Sequence, residues 1–402
     1  LYIFTSGTTG LPKAARITHM RVQLYMRGFA GATGSLPSDR IYCALPLYHA
    51  TGGLCAVGAA LLNGGELVLA RKFSASQFWP DVIASGATMF VYIGELCRYL
   101  VNQPERPEER EHKLRLAFGN GLRPDVWTRM KERFRIPDIL EFYGATEGNV
   151  SMFNFDGRLG AIGRAPKYLR KHFNIRLISF DVEKEEPVRG PNGLCVECRP
   201  GEIGECIGEI GASARESYSG YADKAASEKK VLHDVLRRGD AWFATGDLMR
   251  QDRDGYFYFV DRIGDTFRWK GENVSTTEVE SVLGAFGGVE DAVVYGVEIP
   301  GTNGRCGMAA LRLGTGAELD AQAVAEHLDR ELPPYAAPLF IRLLAEIETT
   351  GTFKYKKTDL KKSGFDPGQI SEPLFVRLPG ETAFRPLDNV LHQAIQSGEY
   401  RF

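Results

Sequence analysis

From Leu1 to about Asn149, short apolar runs of strand character alternate with stretches of helical period, and this alternation limits the chain to layered α/β architectures. The expected strands are Leu1 to Thr5, Ile41 to Leu45, Glu66 to Leu69, Met89 to Ile93, Leu114 to Phe118 and Ile139 to Phe142, with helices between them. Because the apolar run Leu1-Tyr2-Ile3-Phe4 abuts a glycine loop with no cap or signal before it, the chain is expected to start inside a strand, with the upstream part of its domain missing. From Asn174 to about Phe259 the text breaks into short segments at Pro191-Asn192-Gly193, Pro200-Gly201 and Asp254-Gly255, the mark of hairpins and a β-rich subdomain. Beyond Asp265 the expected order is a strand, a helix (Thr276 to Leu283), two strands (Val289 to Val297, Gly307 to Leu313), a helix (Leu319 to Glu331) and a strand (Leu339 to Leu344). The division that follows is 1–261 as a large domain, 262–363 as a small, mobile α+β domain and 364–402 as a tail.

Composition narrows the function. With 49 basic against 51 acidic residues and a net charge of -2, the chain is not a strongly basic nucleic-acid binder, and no nucleic-acid partner is expected. Glycine is in excess, 45 of 402 residues against a usual level of roughly 7%, which fits tight turns and phosphate loops. Seven scattered cysteines suit a reducing, cytoplasmic compartment, and Cys195, Cys198 and Cys206 read as part of a glycine-rich hairpin, since no fourth ligand follows at zinc-ribbon spacing. The longest stretch free of Asp, Glu, Lys and Arg, Ile41 to Gly65, contains Pro46, His49, Asn63 and five glycines, so it reads as strand, loop and buried helix rather than a membrane span.

Four segments carry chemistry. Thr5-Ser6-Gly7-Thr8-Thr9-Gly10-Leu11-Pro12-Lys13 offers backbone N–H groups, hydroxyls and a lysine to an anion, without the glycine spacing of a Walker A loop. Phe142-Tyr143-Gly144-Ala145-Thr146-Glu147-Gly148 follows a strand and brings an aromatic face, a hydroxyl and a carboxylate suited to adenine, phosphate and Mg²⁺; taken alone it is equally a surface turn. Thr245-Gly246-Asp247, expected at a strand end, places a carboxylate that could accept two ribose hydroxyls, though such a triplet is also a common turn. The fourth, Asp261 to Asn273, lies where the architecture changes, and its glycines suit a hinge.

In this order the motifs resemble the acyl-adenylate-forming (AMP-binding) superfamily. The segments Tyr143 to Asn149, Gly119-Asn120-Gly121-Leu122-Arg123-Pro124 and Asp265 to Glu280 look like its very-long-chain acyl-CoA synthetase and fatty acid transport protein family, over nearly all of the chain. That resemblance implies a long- or very-long-chain fatty acid–CoA ligase using ATP, Mg²⁺ and coenzyme A. The alternatives are adenylation for a carrier-protein thiol and a fatty acid uptake protein with a vestigial site. It implies phosphate binding by Thr5, Ser6, Gly7, Thr8, Thr9, Gly10 and Lys13, and adenine framed by Gly119, Asn120, Gly121 and Tyr143 with Gly144 and Ala145 beside it. Thr146 would meet the α-phosphate, Glu147 would hold Mg²⁺, Asp247 the ribose, Arg262 ribose or phosphate, and Gly271 would lie along the CoA arm, with Gly264 at the hinge. The adenylation lysine would be Lys354, with Lys356 and Lys357 as rivals in a five-lysine run. His49, in Leu45-Pro46-Leu47-Tyr48-His49, would orient the carboxylate or gate its tunnel, and Ala56, Gly58, Ala59 and Ala60 would leave room for an alkyl chain or serve close packing. Peripheral or amino-terminally anchored membrane association and the oligomeric state stay open.

Overall fold

Met89, Phe90, Val91 and Tyr92 are buried on both faces of their strand, a pattern that a central parallel strand covered by helices on each side produces. The chain, described from a computed structural model that covers residues 1–5, 12–350 and 355–402, divides into two units: Leu1–Phe180 with Pro187–Phe259, and Asp181–Glu186 with Val260–Phe402.

In the first unit a six-stranded sheet runs in the order Glu66–Leu69, Arg40–Cys43, Met89–Ile93, Leu116–Asn120, Asp138–Gly144, Ser151–Asn154. The first five strands are parallel and the last is antiparallel. The helices Phe78–Ser85, Gly94–Val101 and Pro124–Phe134 connect parallel strands. An aromatic core fixes their packing, with the Phe78 ring 4.7 Å from Phe90 and 5.4 Å from Tyr42, and Trp79 4.6 Å from Phe134. The strand expected to stop at Phe118 continues to Asn120, because Gly119 and Asn120 pair with Tyr92 and Ile93. A second, mostly antiparallel sheet joins Ile175–Ile178, Ile203–Glu209, Ala241–Gln251, Tyr256–Arg262 and Gly163–Arg164, the β-rich subdomain that the turn residues indicate.

The charge-free stretch resolves into the strand Arg40–Cys43, a π-helical turn Thr51–Ala56 and the helix Val57–Leu61. Its small residues serve close packing. A Cβ on Gly58 would stand 2.3 Å from the Met26 Cα of the helix His19–Thr33, and Ala56, Ala59 and Ala60 are buried.

The second unit is built on the sheet Val289–Val297, Cys306–Leu313, Phe340–Leu343, Leu374–Val376, Arg385–Pro386. Its helices Thr276–Ala285 and Ala321–Glu331 start at capping side chains, Ser275 accepting from the Glu278 N–H and Asp320 from those of Gln322 and Ala323. The division between units falls at Phe259/Val260, ahead of the 261/262 position read from the sequence. Asp261 belongs to the hydrogen bonding of the second unit: its carboxylate accepts from the Thr276 N–H at 2.5 Å, and Ser275 Oγ donates to the Val260 carbonyl at 2.8 Å. Residues 364–402 are not set apart as a tail. They supply two strands of this sheet, Phe365 stacks on Phe340 at 4.2 Å, and Phe384, Leu387 and Ile395 are buried in its core. Their apolar residues follow no single period, which is why the sequence pattern does not reveal them as core.

Glu141 is buried in the first sheet, accepting from Tyr92 Oη at 2.6 Å and from the Leu122 N–H at 3.0 Å. Burial pushes its carboxyl up from 4.5 to about 8, against the pull of these hydrogen bonds. A carboxyl whose pKa is higher in the folded than in the unfolded chain costs stability as pH rises from the unfolded to the folded value. Glu141→Gln should therefore flatten the fall in stability between about pH 4.5 and 8, worth on the order of 1.4 kcal/mol per unit, in urea unfolding at several pH values; parallel curves for the two proteins would contradict this. Phe365→Ala should destabilise the second unit by about 3–5 kcal/mol, read as an early urea transition.

Candidate functional site

The strands Tyr2–Thr5 and Lys13–Arg16 form an antiparallel hairpin with Thr5 opposite Lys13. Ser6, Gly7, Thr8, Thr9 and Gly10 lie outside the described residues. What the described ends of the hairpin meet is Tyr221. The Tyr221 backbone bridges Ala15, Lys13 Nζ lies 5.8 Å from its ring centroid, and the Thr5 side chain is hydrogen-bonded to it. The Tyr221 hydroxyl donates to Glu147 Oε1 at 2.9 Å. Burial and the neighbouring Glu147 carboxylate push this phenol above its ordinary pKa, so it stays a donor through the physiological range.

The fifth parallel strand, Asp138–Gly144, turns back into Ser151–Asn154, and Thr146 and Glu147 sit in that turn. Arg21, from the helix His19–Thr33, grips both sides: its Nη2 donates to the Ala145 carbonyl at 2.9 Å and also to the Gly148 carbonyl, while Tyr25 Oη donates to Ala145 at 3.3 Å. The Arg21 Nε is buried without a partner among the described residues. One guanidinium thus fixes the two carbonyls that flank Thr146 and Glu147.

Tyr143, at the carboxyl end of the same strand, donates its hydroxyl to Asp247 Oδ2 at 2.5 Å, and burial with that carboxylate holds the phenol protonated. Thr245-Gly246-Asp247 does not end a strand. It lies within Ala241–Gln251, at a register shift between the Glu205–Leu248 and Ile207–Ala244 pairs. Gly246 takes φ +79°, Thr245 Oγ1 donates to the Cys206 carbonyl at 2.7 Å, and the Gly246 N–H donates to Glu205 Oε1 at 3.0 Å. Burial raises the Glu205 carboxyl to about 7, while Lys230 donates to the Thr245 carbonyl at 3.1 Å. The irregularity turns Asp247 toward Tyr143.

Gly119 and Asn120 end the strand beside Tyr143's, and Glu141 holds the Leu122 N–H of the loop after Gly121. The Asn120 Oδ1 is buried with no partner among the described residues, an acceptor suited to an exocyclic amine. His49 opens the π-helical turn, its carbonyl accepting from Gly53; the adjacent Ala50 packs in the same buried cluster as Ile3, Ala15 and Tyr221. The first unit therefore brings together Thr5, Lys13, Tyr143 to Glu147 and Asp247 through Tyr221 and the 143–148 turn. Arg262 and Gly271 belong to the second unit, Gly271 with Lys270 forming a positive-φ hairpin turn between Phe267–Trp269 and Glu272–Val274. Lys354 lies outside the described residues. Lys357 is taken up by Glu280 at 2.8 Å, and Lys356 pairs at the surface with Glu348 at 2.8 Å.

Among the described residues no cluster of three His, Cys, Asp or Glu side chains could cage a metal ion. A single carboxylate such as Glu147 nevertheless fits Mg²⁺, which is commonly held by one or two carboxylates together with substrate phosphates. Sequence reading missed Arg21, Tyr221, Glu205 and Lys230. Arg21 had a signal, since a cation in the first turn of a helix opposes the helix dipole and calls for a separate reason. Tyr221 had none, lying more than two hundred residues from the hairpin it touches.

A profile described as AMP-binding enzyme matches residues 1–207, and one described as AMP-binding enzyme C-terminal domain matches residues 278–354. Long-chain fatty acid transport protein 1 of Mus musculus is 45% identical over 99% of this chain and 62% of its own length. Long-chain fatty acid transport protein 3 of Homo sapiens is 48% identical over 100% of this chain and 58% of its own. The chain thus spans about three-fifths of the length of these relatives. Among solved structures, ATP-bound MatB from Rhodopseudomonas palustris superposes with a TM-score of 0.74 at 24% identity, covering 90% of this chain and 67% of that one. The O-succinylbenzoate coenzyme A synthetase MenE of Bacillus subtilis, with AMP, superposes at 0.69 and 24% identity over 90% of this chain and 68% of its own. The fold is that of adenylate-forming enzymes, and with the first profile covering more than half of its residues the chain belongs to the AMP-binding enzyme family.

Proposed function

We propose that the protein activates a long- or very-long-chain fatty carboxylate with ATP and passes the acyl group to coenzyme A. The observation that carries the reading is Tyr221, whose ring and hydroxyl gather Thr5, Lys13 and Glu147 in one place. The names of the relatives support the fatty substrate. In the first step a carboxylate oxygen attacks the α-phosphorus; the new oxygen–phosphorus bond forms as the bond to the β-phosphate bridge breaks, and pyrophosphate leaves. The displacement concentrates negative charge on the phosphoryl oxygens, which Lys13, Lys354 and the hydroxyl of Thr146 would offset. Tyr143 and Asp247 would seat the nucleoside, with Asp247 accepting ribose hydroxyls, Asn120 facing the adenine amine and Gly119, Gly121, Gly144 and Ala145 lining its ring. Glu147, oriented by Tyr221, would hold Mg²⁺, which when bound neutralises phosphate charge. In the second step the thiolate of coenzyme A attacks the acyl carbon along the Gly271 turn, and AMP leaves. His49 would orient the carboxylate, and Arg262 would reach the ribose or phosphate.

Lys357 and Lys356 each already have an acidic partner, which favours Lys354 as the adenylation lysine. The test is ATP–pyrophosphate exchange and CoA thioester formation by the full-length protein across carboxylates from acetate to very long chains. Exchange and thioester are expected with long acids; no exchange with any acid would overturn the reading, and exchange without a CoA thioester would move the acceptor to a carrier-protein thiol. Lys354→Ala should lower exchange about 10²–10³-fold while sparing thioester formation from preformed acyl-AMP. Tyr221→Phe should raise the Mg²⁺ concentration needed for half-maximal exchange about fivefold, the effect of one hydrogen bond worth about 1 kcal/mol.

A further inference from the structure

Behind the turn that carries Arg262, the second unit holds a buried group of charges that the chemistry above does not use. Lys357 Nζ donates to Glu280 Oε1 at 2.8 Å and to Thr276 Oγ1 at 3.0 Å, and stands 3.9 Å from Asp265 Oδ2. Thr276 Oγ1 passes the link on to Asp261 Oδ1 at 3.2 Å, and the second Asp261 oxygen accepts from the Thr276 N–H. From the next turn of the same helix, Lys361 Nζ donates to Asp265 Oδ1 at 3.1 Å and to the Gly264 carbonyl at 2.9 Å. Glu280 is itself fixed by the Val294 N–H at 2.9 Å.

These contacts enclose residues 261 to 265 from both ends. The Arg262 N–H donates to Asp261 Oδ1 at 2.8 Å, and the Arg262 carbonyl accepts from the N–H groups of both Asp265 and Thr266 at 3.0 Å. The turn is therefore closed on itself and moored at Asp261 and Asp265, with Lys357 reaching both moorings. A buried lysine facing several carboxylates adds little net stability by itself, because each charge has lost its water. What the group supplies here is a set of contacts that ties the turn, through Asp261 and Asp265, to Thr276, Lys357 and Lys361.

We infer that Lys357, with Lys361, is a positioning residue of the adenylation reaction, holding the 262–265 turn so that Arg262 presents its guanidinium to the nucleotide. The inference rests on the adenylation reading for the role of Arg262, and on the geometry alone for the mooring of the turn. Lys357 touches no substrate in this account. It acts through Asp261 and Asp265, which is why its loss should affect nucleotide binding and leave carboxylate binding alone.

The experiment compares three variants of the full-length protein: Lys357→Met/Glu280→Gln, which removes one buried charge of each sign; Lys361→Met, which removes a half-exposed contact; and Lys357→Arg. Hydrogen exchange of the Asp265 and Thr266 amides should quicken at least tenfold in the first two variants and stay near the native rate in the third. In pyrophosphate exchange the KM for ATP should rise about tenfold in the double variant and less in Lys361→Met, with the KM for the fatty acid unchanged and Lys357→Arg within threefold of native. Folded variants, judged by circular dichroism, with native amide exchange in the turn would overturn the mooring. Quickened amide exchange with a native KM for ATP would overturn the positioning role. A native protein that forms no acyl-AMP at all would instead remove the adenylation reading, and the positioning role with it, while leaving the amide result to decide the mooring.

Discussion

One phenol–carboxylate hydrogen bond organises the first unit. Tyr221 donates to Glu147 while its backbone pairs with the amino-terminal hairpin, so a turn at the end of the parallel sheet and a glycine-rich hairpin far away in sequence share one anchor. Arg21 secures that turn from the other side by holding the carbonyls of Ala145 and Gly148. Glu147 is thereby presented from backbone restrained at both ends, the preorganisation that electrostatic chemistry on phosphates requires.

The same economy appears at Asp247. A regular strand would alternate its side chains between the two faces of the sheet, and the two extra residues of Thr245-Gly246-Asp247, which stand against Cys206 alone, interrupt that alternation where the carboxylate meets Tyr143. Holding the irregularity takes the Thr245 hydroxyl together with Glu205 and Lys230, and neither of the last two belongs to a recognisable motif. In both places the motif residues are short-range in sequence, and residues that fix them are long-range.

This explains how far the sequence could be read. The strands Glu66–Leu69, Met89–Ile93 and Val289–Val297 were legible to the residue, because apolar runs bounded by turn residues determine strands locally. The segments around Tyr143 and Asp247 were legible as motifs, since their residue types suffice to suggest a nucleotide. Tyr221 was not, because its role exists only once Ala15 and Glu147 are placed around it. The continuation of the strand through Gly119 and Asn120 was hidden for a related reason: glycine and asparagine have little strand preference, and only pairing with Tyr92 and Ile93 draws them into the sheet. The same holds for residues 364–402, whose place in the core comes from neighbours such as Phe340 rather than from any pattern of their own.

The order of strands in the second unit bears on its birth at the ribosome. Phe340–Leu343 takes Leu374–Val376 as its neighbour on one side, and that strand takes Arg385–Pro386 in turn. Until residue 386 has emerged, the nascent sheet keeps a raw margin of unsatisfied backbone groups beside an uncovered Phe340, the kind of margin to which another chain can add a strand. Maturation of this unit therefore waits on the emergence of its last strands, and a ribosome stalled inside the 364–386 stretch would leave a sticky half-built sheet on which chaperones have reason to act.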